Sequence, residues 1–547
     1  MRIDAFRCHI ASITPGALVT KASIAGAGRP RKAGERAVGA ARTCERLPSD
    51  LKIKPYCVGV DLMARVIGIS KQRLAGVVIL LAVFMTNLDL WIVNVALPAM
   101  GASFSPGQGN AITLGSLSWV LNAYAIALAA LLVVAGRAGD RIGQRPVFLG
   151  GVTVFTLASL ACALAPDLWA LVLARTVQAV GAAAQLPTSL ALLLATVPAE
   201  GRTRATRNWA AIGGLAAAAG PVAGGLLVQV DWRWVFVINV PIGIATVVAG
   251  LLVLPRTDAR ESGPLPDMLG ALLVTVAIAA LSGALVQAPD WGWLDGRTVL
   301  LFVAAVLSGV AFVLRSVRHS HPLFELDLLR LPRFGTANAG TFVFGVAFAI
   351  MLLSNVLWCQ EVWHWSAVRT GLAMVPGPAL VPVVTLLTAR AAQRFGHGPL
   401  IAAGGLLFAA GMLWRAGFAS ASPDYWVDLL PSMIMSGVGV GLALGTLVAA
   451  GVSALPGHRS ATGSALVNSV RQISATVGVA ILVAVVGSHI GPSSRQEFRV
   501  SWLLAACLSL LCTFVGVQLT RGAARDRAAR TATADNAGMA HSRADVH

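Results

Sequence analysis

Asp89 stands inside a long apolar run, in LDLWIVNVALP (Leu88–Pro98). A carboxylate in hydrocarbon costs about 2.5–3.5 kcal/mol even on insertion scales, so it must face a bundle interior or a cavity, where it is a candidate proton carrier. The plainer reading is a carboxylate fixed by hydrogen bonds near a helix end. Another apolar run, LVLARTVQAVGAAAQLPTSLALLLATVP (Leu171–Pro198), carries Arg175 and Gln178, with Gln185 and Pro187 beyond. Arg175 and Gln178 share one helical face, and an arginine at that depth needs an acceptor. The alternative is a guanidinium that snorkels to the interface. All five lysines (Lys21, Lys32, Lys52, Lys54 and Lys71) precede the first apolar run. No amine is left there for a Schiff base, and no lysine for a GxxxxGK phosphate loop, which argues against an ATP-driven pump.

Polar and small residues punctuate the remaining runs. GRAGDRIGQRP (Gly136–Pro146) sets Gly136, Asp140, Arg141, Gly143 and Arg145 between two apolar stretches. Charges of that density belong to a loop at a membrane face, where Asp140 and the arginines would bind helix termini and each other. GGLAAAAGPVAGGLL (Gly213–Leu227) is made almost wholly of small residues, and Gly220, Pro221, Gly224 and Gly225 permit close packing and a bend. WCQEVWHWSAVRTGLAMVPGP (Trp358–Pro378) places Gln360, Glu361 and His364 among three tryptophans, which reads as an interfacial aromatic belt; the other reading is titration at a cavity mouth. GHRSATGSALVNSVRQISATVGVAI (Gly457–Ile481) carries Arg471 over a turn into an apolar run, where it is expected to meet carbonyls or a carboxylate of a neighbour.

The elements that must position these groups are helices in a bilayer. With 547 residues, 56% apolar and 12% charged residues, and a mean hydropathy of +0.75, the chain is a polytopic all-α membrane protein. Fourteen runs are long enough to cross about 30 Å of hydrocarbon: residues 74–98, 113–135, 146–165, 168–195, 208–230, 235–254, 267–287, 298–316, 337–357, 369–390, 399–418, 427–450, 460–487 and 501–519. Alternate connections on one side hold fifteen arginines, among them Arg137, Arg202, Arg256, Arg318, Arg390 and Arg459. The other side holds six: Arg233, Arg297, Arg369, Arg415, Arg495 and Arg499. That bias places both termini in the cytoplasm. It also explains the net charge of +18 better than nucleic-acid binding does, because the arginines are dispersed between apolar runs.

Residues 1–62, with eleven Lys/Arg against five Asp/Glu and no run long enough to span, are expected to be disordered. Met63, before a basic stretch and the first run, is an alternative start, and on that reading residues 1–62 are not part of the native protein. The expected parts are then a six-helix bundle over 63–254, two inserted helices and a linker over 255–336, a second six-helix bundle over 337–519, and a disordered cytoplasmic tail over 520–547. TARAAQRFGHGP (Thr388–Pro399) sits in the second half where GRAGDRIGQRP sits in the first, without the aspartate. The seven cysteines form no CxxC pair, and neither a disulfide framework nor a metal site is supported. Without HExxH, GxSxG or a metal-spaced His cluster, nothing points to a membrane enzyme or to catalytic residues.

Taken in order, these motifs resemble the major facilitator superfamily, in its fourteen-span branch of drug:proton antiporters. The match rests on Gly136 to Arg145, on Asn94, Ala96, Leu97 and Pro98, on Arg175, on Gly220 to Gly225, on Gly371 and Pro376, and on Gly463, Arg471 and Gln472. Departures are Trp91 where a threonine is usual, Gln144 for a second basic residue, Ala179 for a glycine, and Arg207 and Ala216 for upstream glycines. The resemblance implies the major facilitator fold: two six-helix bundles around a central cavity, plus two additional central helices. It implies proton-coupled multidrug efflux by alternating access in the plasma membrane, energised by the proton gradient without a cofactor. Asp89 and Arg175 would couple protons, and Asn94, Gln178, Gln360, Glu361 and Arg471 would line the path. The cargo would be amphipathic small molecules, including antibiotics, and the protein a monomer. A facilitator or importer of a small metabolite on the same fold is the alternative; a sensor or scaffold would need a soluble signalling domain, and none is visible.

Overall fold

The computed structural model describes residues 71–104, 112–198, 201–255, 267–453, 455, 460–487 and 494–544. The segment 1–62 and the alternative start at Met63 lie outside them. Among the described residues the chain is helical, without strands, because in hydrocarbon a helix satisfies every backbone N–H and C=O within its own segment. Fourteen helices are long and apolar enough to cross a membrane. They are α1 (Lys71–Phe104), α2 (Leu114–Ile142), α3 (Gln144–Ala163), α4 (Leu168–Ala195), α5 (Arg202–Val228) and α6 (Trp234–Val253, interrupted at Ile238). Then come α7 (Met268–Trp291), α8 (Gly296–Arg318), α9 (Pro332–Leu357) and α10, built from Ala367–Ala373 and Pro376–Phe395. The last four are α11 (His397–Phe418), α12 (Leu430–Ser453), α13 (Ser460–Val486) and α14 (Arg495–Ala544).

α1 to α6 and α9 to α14 form two six-helix bundles. In the first, α3 packs on α4 and α6, and α2 on α4; in the second, α11 packs on α12 and α14, and α9 on α12, α13 and α14. The halves meet where α2 lies against α13 and α5 against α10. α7 and α8 pack on each other, with α7 seated on α2 and α13. α8 exposes Leu300, Val303, Val306, Leu307 and Val310, which suits a helix whose outer surface meets lipid. Asp267 caps α7 by accepting from the Gly270 N–H (2.8 Å) and pairs with Arg315 at the end of α8 (2.8 Å). Burial pushes this carboxyl up, but the Gly270 and Arg315 hydrogen bonds outweigh it and hold it below the usual carboxylate range.

Two expectations about the elements are corrected. GRAGDRIGQRP is not a loop: α2 runs through Ile142, α3 starts at Gln144, and Gly143 alone forms the turn with φ 107°. Alanine and arginine sustain the last turns, and the left-handed region ends the helix at a glycine, where no Cβ penalty arises. The second half repeats this geometry at Gly396, φ 83°, between α10 and α11. α14 continues to Ala544, so the expected disordered tail from 520 is helical through 544. Its alanines and arginines are good helix formers, and no proline interrupts them.

Candidate functional site

Five helices of the first half converge on Asp89. The side chain is 1% exposed, and its Oδ2 accepts from Arg175 Nη1 of α4. Oδ1 accepts from Gln178 Nε2 of α4 (3.0 Å) and Asn239 Nδ2 of α6 (3.0 Å). Both amides also donate to Ser159 Oγ of α3, at 2.7 and 3.4 Å. Arg175 donates further to Gln178 Oε1 (2.6 Å) and, through Nε, to the Val120 carbonyl of α2 (3.4 Å). Its guanidinium lies 4.1 Å from the Tyr124 ring centroid and 5.8 Å from that of Phe236. The face shared by Arg175 and Gln178 is thus the face turned to Asp89, and Arg175, 1% exposed, does not snorkel. A buried ion pair persists only when further hydrogen bonds satisfy both ions, as they do here. Two acceptors beside the network, Tyr124 Oη and Asn239 Oδ1, have no hydrogen-bond partner among the described residues.

The glycine-rich α5 joins this half to the other. A Cβ on Gly220 would strike Trp91 Cβ, and one on Gly224 would stand 2.9 Å from the Ile92 carbonyl, so both glycines seat α5 on α1. On the opposite side, a Cβ on Gly225 would stand 2.7 Å from the Ala367 carbonyl of α10, and one on Gly371 would strike the Pro221 carbonyl. Gln360 Nε2 donates to the Val95 carbonyl (3.0 Å) on the same face of the molecule. The halves are therefore pressed together at the face remote from the Gly143 and Gly396 turns.

At the turn face, Asp140 is exposed, and its Oδ1 accepts from Gln144 Nε2 (2.9 Å). The expected contacts between Asp140 and the arginines are not formed. Arg137 donates to the Pro322 carbonyl of the linker (2.9 Å), Arg145 to the Leu251 carbonyl of α6 (2.6 Å), and Arg141 is exposed. Gly136 faces Pro187 of α4. The sequence places three arginines around Asp140 but not their directions, which the helical register decides.

The second half differs from expectation in three places. Trp358, Trp363 and Trp365 are no interfacial belt: they are 0%, 4% and 7% exposed, and Trp358 stacks edgewise on Trp502 and Phe498. Arg415, counted above among loop residues, is 0% exposed in the last turn of α11, inside that tryptophan cluster. Arg471 meets neither a carboxylate nor a carbonyl acceptor among the described residues. Glu361 is half-buried, at the end of the π-helical turn that closes α9. Asn94 donates to its own helix at Leu90 (2.8 Å) and stays out of the Asp89 network.

Sequence reasoning missed Ser159, Tyr124 and Asn239 as site residues. Asn239 carried a signal, being an amide at the head of an otherwise apolar run; Ser159 carried none, since a lone serine is common in spans. Residues 79–479 match the family described as Major Facilitator Superfamily. The chain is 34% identical to the methylenomycin A resistance protein of Streptomyces coelicolor, over 74% of this chain and 83% of that one. It is 33% identical to the tetracenomycin C resistance and export protein of Streptomyces glaucescens, over 75% of each. Among solved structures, that of an auto-inhibited POT family peptide transporter superposes with a TM-score of 0.59 at 14% identity, over 82% of this chain and 96% of that one.

Proposed function

Since the chain belongs to the Major Facilitator Superfamily, and to its fourteen-span efflux branch, we propose that it exports hydrophobic or amphipathic compounds, antibiotics among them, in exchange for protons across the plasma membrane. The observation that carries the reading is the Asp89 network: one ionisable carboxylate, together with Ser159 and the Val120 carbonyl, ties four other helices of its half through Arg175, Gln178 and Asn239. The turn face is cytoplasmic, as the arginine bias requires. The pressed face is then the outer one, and cargo enters from inside.

A proton arriving at Asp89 cancels the countercharge of Arg175 and turns one carboxyl oxygen from acceptor to donor. Asn239 Oδ1 and Tyr124 Oη, both without partners among the described residues, are acceptors available to that O–H. Rotation of the Asn239 amide to present Oδ1 to that O–H withdraws its Nδ2 from Asp89 and rearranges the contact of α6 with α1. Such a change rebalances the two arrangements of the halves, and cargo that binds one arrangement more tightly drives the cycle in exchange. The smooth glycine contacts of α5 on α1 and α10 allow the faces to part and close again. The protein works as a monomer with the proton gradient as its energy source, and no cofactor enters the cycle.

The test compares drug accumulation in cells with and without the protein, before and after a protonophore collapses the gradient. Lower accumulation that is abolished by the protonophore is expected. Higher accumulation in expressing cells would replace export by import.

A further inference from the structure

The proposed export leaves the chemical class of the cargo open, and Arg471 narrows it. Around α13, Val470 and Ile473 pack in the cluster that holds Val274 and Ile278 of α7. Ser469 Oγ donates to the Ala129 carbonyl of α2 (3.1 Å), and Gly478 sits against α9, where its added Cβ would be 2.6 Å from the Val346 carbonyl. At 100° per residue the stripe Asn468, Arg471 and Ala475 points away from α7, into the angle between α2 and α9. All three are half-buried; of the residues flanking them on the helix, Val467, Ser469, Gln472, Ser474 and Thr476 are buried and Val470 is half-buried against the α7 cluster. α7 covers the lipid side of α13, so this exposure is to the space between the two halves.

The same space has an aromatic wall. Trp91 of α1 and Phe348 of α9, one from each half, meet edgewise at 5.8 Å. Phe348 lies one turn from Gly345, and a Cβ on Gly345 would stand 4.0 Å from the Arg471 carbonyl oxygen, so the ring pair lies about one turn from the level at which the Arg471 backbone meets α9. Asp89, the nearest acid in sequence to this wall, is turned into its own half and answered by Arg175, Gln178 and Asn239. Among the described residues Arg471 has no carboxylate partner, so the charge it presents to cargo is positive, and a guanidinium so placed in a low-dielectric space binds carboxylate or phenolate oxygens in a paired, planar fashion.

We propose that Arg471 is the specificity-determining anchor for anionic amphipaths, with the flat apolar part of the cargo held against Trp91 and Phe348. The inference rests on the export reading, and it favours acidic planar compounds over the organic cations that a cavity lined by carboxylates would take.

The test measures binding of three matched probes, anthracene carboxylate, its methyl ester and anthracenylmethylammonium, to the purified full-length protein by quenching of tryptophan fluorescence. The carboxylate should bind tightest and the ammonium weakest. In Arg471→Gln the ratio of acid Kd to ester Kd should rise at least about tenfold, and Arg471→Lys should restore most of the preference. An unchanged ratio in Arg471→Gln, or the ammonium ranking first in the wild type, overturns the inference. Should Arg471→Gln not insert, the wild-type ranking and Arg471→Lys still decide it. Binding needs no gradient, so a wrong ranking sinks this proposal alone, whereas correct ranking without export from vesicles sinks the transport reading instead.

Discussion

Arg175 in the first half and Arg415 in the second are buried to the same depth, 1% and 0% exposed, and both lie over aromatic rings, yet they are held differently. Arg175 is answered by a carboxylate and an amide. Arg415 rests 4.9 Å from the Trp502 centroid and 5.3 Å from that of Trp363, and donates through Nη1 to the Asp428 carbonyl (3.2 Å). The Asp428 carboxylate accepts from the Ser420 N–H (2.9 Å) and hydroxyl (3.0 Å), and Arg415 Nε and Nη2 have no hydrogen-bond partner among the described residues. A guanidinium balanced by an ionisable group can be switched by one proton. Arg415 has the Asp428 carboxylate and the Cys359 thiol near it but gives its hydrogen bond to a backbone carbonyl, so on the proposed function the second half carries a pin where the first carries a switch.

The largest effect expected from this contrast is for Arg175→Met. It strands the Asp89 carboxylate and should cost about 3–5 kcal/mol, seen as a marked fall in the thermal midpoint with loss of transport. Arg415→Met removes the cation near Asp428 but leaves that carboxylate its Ser420 hydrogen bonds and fills an aromatic cage, so its cost should stay below that of Arg175→Met, with transport retained. Equal losses in the two variants would erase the distinction.

A smaller effect separates the seam from the bundle interiors. Gly225→Val should force α5 off α10 and speed the labelling of a cysteine placed at Val368, whose Cα would stand 2.8 Å from a Gly225 Cβ. Gly405→Val, at the α11–α14 contact inside the second half, should lower stability without changing that labelling. Equal labelling rates in both variants would show that the glycines of α5 serve packing alone.

The smallest effect on stability is expected at the turns. Asp140 is exposed and bonded only to Gln144 among the described residues, so Asp140→Asn should leave the thermal midpoint in place. If Asp140 engages the second half in the other state of the cycle, the same change should slow turnover several-fold, because a shift of about 1 kcal/mol moves a two-state balance by roughly fivefold. Normal turnover together with unchanged cysteine labelling in both vestibules would reduce Asp140 to a solvated surface residue.

Much of this was legible in the sequence because hydrocarbon restricts the choices. Fourteen apolar runs became fourteen spans, and the cost of charge in a bilayer singled out Asp89, Arg175 and Arg471. Spacing put Gln178 beside Arg175. Directions across the bundle were not legible: Ser159 and Asn239 face Asp89 only because α3 and α6 pack as they do. The tryptophans near Trp358 were misread for a related reason, since protein interior and lipid interface are both apolar and hydropathy does not separate them. Arg415 was counted with a connection although the expected run 399–418 contains it, because it stands within a turn of the run's end, where a span edge shifts by about a turn. Gly143 shows the converse, a charged stretch whose helix formers outweighed its appearance as a loop.

The central claim is that Asp89 carries the proton. Proteoliposomes loaded with a pH-sensitive dye, with an imposed pH gradient and added cargo, measure it directly. For wild type, cargo movement should be accompanied by a matching proton flux. Asp89→Asn keeps the shape and most hydrogen bonds of the network but cannot titrate, so it should bind cargo and exchange it downhill while showing neither proton flux nor gradient-driven accumulation. Full gradient-driven transport by Asp89→Asn, with proton flux equal to wild type, would contradict the account.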